Sequence, residues 1–188
     1  MQIVSGEPTV LRPELMREMA RYRHKVFVEK LGWQLQCENS LEYDQFDRDD
    51  TVYVVARNDA AEVIGTARLL PTTRPYLLGE VFPQLLHGET PPCSSDVWEL
   101  SRFAAVDFTA GAGSGSALEQ FSSPIMRNLL QTSMACAAAR GAKRFITVSP
   151  LGVERLLRRL GFQAHRMAAP IIVDGHPIFA CSIAFGHE

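Results

Sequence analysis

VWELSRFAAVDF, residues Val97–Phe108, decides how the rest of the chain is read. Trp98, Leu100 and Phe103 give it strand-favouring bulk, and its length suits one strand. Glu99 and Arg102 nevertheless sit inside it between large apolar residues. Unpaired buried charge is very costly, so a buried strand carrying two opposite charges must give each a partner. Side chains alternate along a strand, so positions 99 and 102 face opposite ways unless a bulge intervenes. The stretch alone is compatible with a structural ion-pair network, with an edge strand whose charges stay in water, and with a functional site.

Working outward, 188 residues with 46% hydrophobic and 21% charged side chains suit a single α/β or α+β domain with a real core. A net charge of −2 gives no global attraction to nucleic acid or anionic membrane. Lys25, Lys30 and Lys143 are the only lysines, so positive charge is carried mostly by arginine. Arginine suits fixed, bidentate contacts with carboxylate or phosphate, although a GC-rich genome would produce the same bias. Cys37, Cys93, Cys136 and Cys181 are far apart and have no histidine at ligand spacing, which argues against a disulfide framework or a metal site. Cys136 lies in an apolar run and reads as a core thiol. The first residues lack the basic and apolar regions of a signal peptide, and no apolar run is long enough to span a bilayer. A soluble cytoplasmic protein is expected.

In chain order, Gln2–Val4 reads as a short strand. A helix then begins at Pro13, with Leu15, Met19, Tyr22 and Val26 on one stripe, and runs out near Gly32. Arg23 and Phe27 are neighbours on it, and Trp33 follows. Cys37–Asp50 is acidic, with Asp44 and Asp47 three apart and aromatic residues between the acids. A solvated loop is the plain reading, and a loop folded back over something is the other. Thr51–Arg57 and Glu62–Leu70 form a hairpin, with Gly65 marking a bulge or close packing and Arg68 as a half-buried cation. Pro71–Pro92 is irregular and contains Phe82. GAGSGS, Gly111–Ser116, lacks the Lys-Ser/Thr of a P-loop and reads as a connection. Ser123 and Pro124 open a helix that ends at Gly141. Lys143–Ser149 is a strand, Pro150–Leu160 a helix, and Ile171–Phe185 a hairpin around Asp174-Gly175. Neither an internal repeat nor a domain boundary is evident, and the alternation predicts an α/β mixed sheet with helices on both faces.

Arg23-x-x-x-Phe27, Gly32-Trp33, Asp44-x-x-Asp47, Arg68, Phe82 and Glu99-Leu-Ser-Arg102-Phe together resemble the acyl-homoserine-lactone synthases, the LuxI-type autoinducer synthases. RYRHKVFVEKLGW and WELSRFAAVDF are the most specific pieces, and the likeness covers most of residues 1–188, more weakly after Phe108. It implies one synthase domain with a GNAT-like splayed mixed sheet. It implies S-adenosylmethionine and an acyl-acyl carrier protein as substrates, with no metal or other cofactor. The products would be an N-acyl-homoserine lactone and methylthioadenosine.

The resemblance places Glu99, Ser101 and Arg102 at the chemistry. Glu99 would accept the amine proton or orient the amine, and Ser101 would touch the acyl carbonyl or its 3-position substituent, or be a plain strand serine. Arg23, Phe27, Trp33, Asp44, Asp47, Arg68 and Phe82 would bind S-adenosylmethionine. Met126, Leu129, Thr147, Val148 and Leu151 are candidates for an acyl pocket, though core packing is the plainer reading of each taken singly. Lys143, Arg144, Arg155, Arg158 and Arg159 would offer a basic face to an acidic carrier protein, or simply a solvated one. The general look of the chain is similar to synthases with octanoyl-type products. The rival reading is a GNAT-type N-acyltransferase using acyl-CoA. A second rival is a ligand-binding protein that keeps the pocket without turnover.

Overall fold

The computed structural model describes residues 1–109 and 124–186, so the GAGSGS stretch and Ser123 lie outside the described residues. The chain divides into two compact units, Met1–Arg68 with Arg102–Ser133, and Leu69–Ser101 with Met134–Glu188.

In the first unit, β1 (Gln2–Gly6) pairs antiparallel with β2 (Val52–Arg57), in a register running from Gln2↔Arg57 to Gly6↔Tyr53. β3 (Val63–Pro71) follows β2 and leaves this unit after Arg68. Helix α1 (Pro13–Arg23) starts on a proline at its first turn, where the missing N–H costs nothing. Its Leu15 and Met19 pack with Leu11, Tyr53 and Val55. On the other face of β2, Ala56 meets Gly65, and a side chain at Gly65 would lie 3.3 Å from both Ala56 and Leu129. Leu129 belongs to α3 (Pro124–Ala138), so α1 and α3 cover opposite faces of β2, as the alternation of Val55 and Ala56 requires. Gly65 therefore serves close packing.

The expected single helix to Gly32 is two structures. After Arg23 it widens into a π-helical turn, His24–Lys30. The Leu31 N–H bonds to the Val26 carbonyl at 3.0 Å. Gly32, at φ +72, reverses the chain in a conformation that side-chain-bearing residues rarely adopt. Periodicity alone does not distinguish the two windings, because the π turn displaces the apolar stripe by one residue only.

In the second unit, β4 (Val97–Ala104, its last three residues belonging to the first unit) runs parallel to β5 (Arg144–Pro150). β5 pairs antiparallel with β8 (His176–Ala184). β8 also pairs with β6 (Gln163–Arg166) and with β7 (Ile171–Val173). Parallel and antiparallel ladders in one unit make the sheet mixed. β6 carries no clear strand signal in sequence and is held by the β8 backbone. The unit also holds the short helices α2 (Leu77–Glu80) and α4 (Val153–Arg159), a 3-10 turn at Pro83–Leu86 and the end of α3. The core thiol here is Cys181, fully buried on β8, whereas Cys136 is only half-buried. Burial first, and the charge of Glu154 second, push the Cys181 thiol up to about 11. Among the described residues no helix is long and apolar enough to cross a membrane.

Candidate active site

The first unit gathers Arg23, Arg68 and Arg102 with Glu42, Asp44 and Asp47 into one cluster whose formal charges cancel. Arg23, at the end of α1, donates from Nε to Glu42 Oε2 at 2.5 Å, and from Nη1 and Nη2 to the two Asp47 oxygens at 2.7 and 3.0 Å. Arg102 donates from Nη2 to Glu42 Oε1 at 3.0 Å and to Asp44 Oδ2 at 2.9 Å. Arg68 donates from Nη1 to Asp44 Oδ1 at 2.5 Å and lies 3.4 Å from Asp47 Oδ2. Arg23, Arg68 and Glu42 are at most 1% exposed.

The acidic segment that carries these carboxylates is folded by its own side chains. The Phe46 N–H donates to Asp44 Oδ1 and the Asp44 N–H to Asp47 Oδ2, each at 2.8 Å. The Tyr53 hydroxyl on β2 donates to Asp47 Oδ1 at 2.7 Å. The loop thus folds back and buries its acids. Burial opposes ionisation of Glu42 and Asp47, but the guanidinium groups around them outweigh it and hold both carboxyls below the usual range. Burial likewise opposes the charge on Arg23, and Asp47 and Glu42 outweigh it and keep that cation charged.

Glu42 is the residue that sequence reasoning misses. Its signal is the Glu42-x-Asp44-x-x-Asp47 spacing, which looks like an ordinary solvated acid run. Only the distant partners Arg23 and Arg102 mark it as buried.

Beside the cluster, Gly32 and the π turn bring Trp33 back onto Phe27. The Trp33 N–H donates to the Phe27 carbonyl at 2.9 Å, and the rings stack with centroids 4.9 Å apart. The Arg102 guanidinium carbon lies 5.6 Å from the Phe27 ring centre and 5.8 Å from that of Trp33. Phe27 is buried, while Trp33 is 42% exposed. Arg102 has φ +48, the left-handed break that re-aims β4 after Ser101. That break answers the phase problem posed by Glu99 and Arg102.

In the second unit Glu99 is fully buried on β4, and regular alternation puts the buried Ser101 on its face. Both Glu99 oxygens accept backbone N–H groups, Oε2 from Leu77 at 3.0 Å and Oε1 from Leu78 at 2.6 Å. Phe82 is half-buried at the end of the same segment, its N–H on the Leu77 carbonyl at 3.3 Å.

The sequence profile of the autoinducer synthase family matches residues 9–187. The chain belongs to the autoinducer synthase family. It is 52% identical to an acyl-homoserine-lactone synthase of Acinetobacter nosocomialis, over 97% of this chain and 99% of that one. The crystal structure of TofI in a ternary complex with an inhibitor and MTA superposes with a TM-score of 0.82 at 46% identity, covering 98% of this chain and 91% of TofI. MesI, a CoA-dependent acyl-homoserine lactone synthase, gives a TM-score of 0.82 at 26% identity, covering 100% and 90%. Fold likeness alone extends to an N-acetyltransferase from Lactobacillus plantarum, with a TM-score of 0.65 at 19% identity over 98% of both chains. This synthase is therefore an acyltransferase on a GNAT-like mixed-sheet fold.

The acyl-pocket candidates fall in both units, and the docking candidates in the second. Met126 and Leu129 are buried on the first-unit part of α3, whereas Thr147, Val148 and Leu151 belong to the second unit. Thr147 and Val148 are consecutive on β5 and face opposite sides, so they do not line one wall together. Leu151 is 49% exposed just beyond that strand. Among the basic residues, Lys143, Arg144, Arg155 and Arg159 are exposed. Arg158 is exposed as well, but its guanidinium is engaged by Glu154 at 2.8 Å and by the Ala164 carbonyl at 2.7 Å.

Proposed function

We propose that this synthase joins an octanoyl-length acyl group, delivered on acyl carrier protein, to S-adenosylmethionine. The α-amine attacks the thioester carbonyl, loses a proton, and expels the carrier thiol. The methionyl carboxylate oxygen then displaces methylthioadenosine from the carbon bonded to the sulfonium, closing the lactone. S-adenosylmethionine is consumed as a substrate, and the reaction as written uses no metal or redox cofactor.

The observation that carries the reading is the Phe27–Trp33 stack with the fixed Arg102 guanidinium beside it. Aromatic faces attract cations, and a sulfonium is a cation without hydrogen-bond donors. The cluster around Arg102 is charge-balanced, so it shapes this surface without itself repelling a zwitterion. The MTA bound by the related TofI supports the same substrate. Ser101 is assigned to the acyl carbonyl. Arg144, Arg155 and Arg159 supply the positive face for an acidic carrier protein.

The test offers purified protein S-adenosylmethionine with acyl-carrier proteins and acyl-CoAs of matched chain lengths. Mass spectrometry follows acyl-homoserine lactone and methylthioadenosine. Both products with a medium-chain carrier-protein donor are expected. A clear preference for acyl-CoA would transfer the donor assignment to the thioester used by MesI. Neither product with any donor, from folded protein, would end the reading.

A further inference from the structure

We propose that Glu99 is a positioning residue, which fixes the Leu77–Glu80 turn and, through Leu77, the backbone of Phe82, rather than the group that takes the amine proton. This rests on the proposed function and on the family resemblance, which implies that Phe82 binds S-adenosylmethionine.

Leu77 is held through both of its backbone polar groups. Its N–H donates to Glu99 Oε2 at 3.0 Å, and its carbonyl accepts from Val81 at 2.9 Å and from Phe82 at 3.3 Å. The neighbouring Leu78 N–H takes the second Glu99 oxygen at 2.6 Å. The path from the β4 carboxylate to Phe82 is therefore one residue long. A turn of four residues does not stabilise itself, because nucleation costs more than one hydrogen bond returns. Its first N–H groups lack partners within the turn, and Glu99 supplies two of them.

Glu99 is well suited to be a fixed anchor. It is fully buried, and its backbone is in register with Ile146 of β5. The segment is tied on its other side by the Tyr76 hydroxyl, which donates to the Pro92 carbonyl at 2.7 Å. Burial first, and the Glu99 charge second, push the Tyr76 phenol up, so it stays a neutral donor.

The discriminating variants are Glu99→Gln and the pair Leu77→Ala and Leu77→Pro. Leu77 opens the turn, where proline fits, and Tyr76 before it is extended at φ −143, ψ 162, the region a following proline requires. The step from Leu77→Ala to Leu77→Pro thus removes the N–H given to Glu99 and little else. Each variant is first compared with the parent by circular dichroism. If one of Glu99→Gln and Leu77→Pro does not fold, the other decides.

For Glu99→Gln, a loss on the order of a hundredfold in kcat/KM is expected from misplacement. The residual activity should keep the parent's pH profile, including its acid limb. For Leu77→Pro, kcat/KM for S-adenosylmethionine should fall about tenfold below that of Leu77→Ala, as for loss of one charge-assisted hydrogen bond. KM for the acyl donor should stay unchanged. Leu77→Pro matching Leu77→Ala would overturn the proposal, and so would an acid limb abolished in Glu99→Gln, which would return Glu99 to the role of proton acceptor. Parent protein that makes no acyl-homoserine lactone with any donor is a separate result, and it removes the proposed function instead.

Discussion

Arg23 and Arg158 are both arginines at the C-terminal end of a helix with a carboxylate close by, yet they live under different physics. Arg23 meets Glu42 at 2.5 Å and Asp47 at 2.7 Å with none of its side chain exposed. Arg158 meets Glu154 at 2.8 Å with 53% of its side chain exposed. Contact distance barely separates the two, and desolvation does. In water the Arg158 pair is worth little, because solvent screens it and two long side chains must be ordered. In the first unit the charges have lost water, so each depends on its partners, and removing one leaves the others stranded.

The sharpest way to break this comparison is Arg23→Ala. It leaves Glu42 and Asp47 buried with fewer cations, and should destabilise the first unit by about 3–5 kcal/mol. Urea unfolding followed by Trp33 fluorescence reads it, and a loss below about 1 kcal/mol would show that the cluster rearranges freely or admits water.

Acid comes next in size. Glu42 and Asp47 have folded-state values below their unfolded ones, so the stability they contribute is complete above the unfolded value of about 4 and is lost as pH falls through the folded values. The urea midpoint should be nearly level from neutrality to about pH 5 and then decline. A midpoint unchanged down to pH 3 would contradict the depressed carboxyls.

The smallest effect belongs to Arg158→Ala, expected within about 1 kcal/mol of the parent in the same experiment. A larger loss would mean that its bond to the Ala164 carbonyl, rather than the ion pair, carries α4 onto β6.

The main strands were legible in the sequence to within about two residues, whereas the helix expected over Pro150–Leu160 begins only at Val153, because β5 runs on through Pro150, and the stretch read as irregular holds the Leu77–Glu80 turn. Val97–Ala104, the hairpin of β2 and β3, and the β7–β8 hairpin at Asp174-Gly175 all follow from alternation and turn chemistry, which are local. The family was legible too, because the spaced positions Arg23, Phe27, Trp33, Asp44, Asp47, Arg68, Glu99 and Arg102 carry it without any coordinates. The π turn was not, since both helical windings tolerate the same apolar stripe. β6 was not, since its partner strand lies far along the chain.

What the sequence determined by itself is therefore the set of elements, the kinds of residue at the centre, and the class of enzyme. These rest on periodicity and on residue identity. Tertiary structure alone decided which charges meet. Arg102 finds Glu42 across 60 positions of chain, and the Glu99 carboxylate finds the Leu77 and Leu78 backbone across about 20. No local pattern encodes such pairings. They exist because burial makes an unpaired charge intolerable, and only the packed fold determines which partners are within reach.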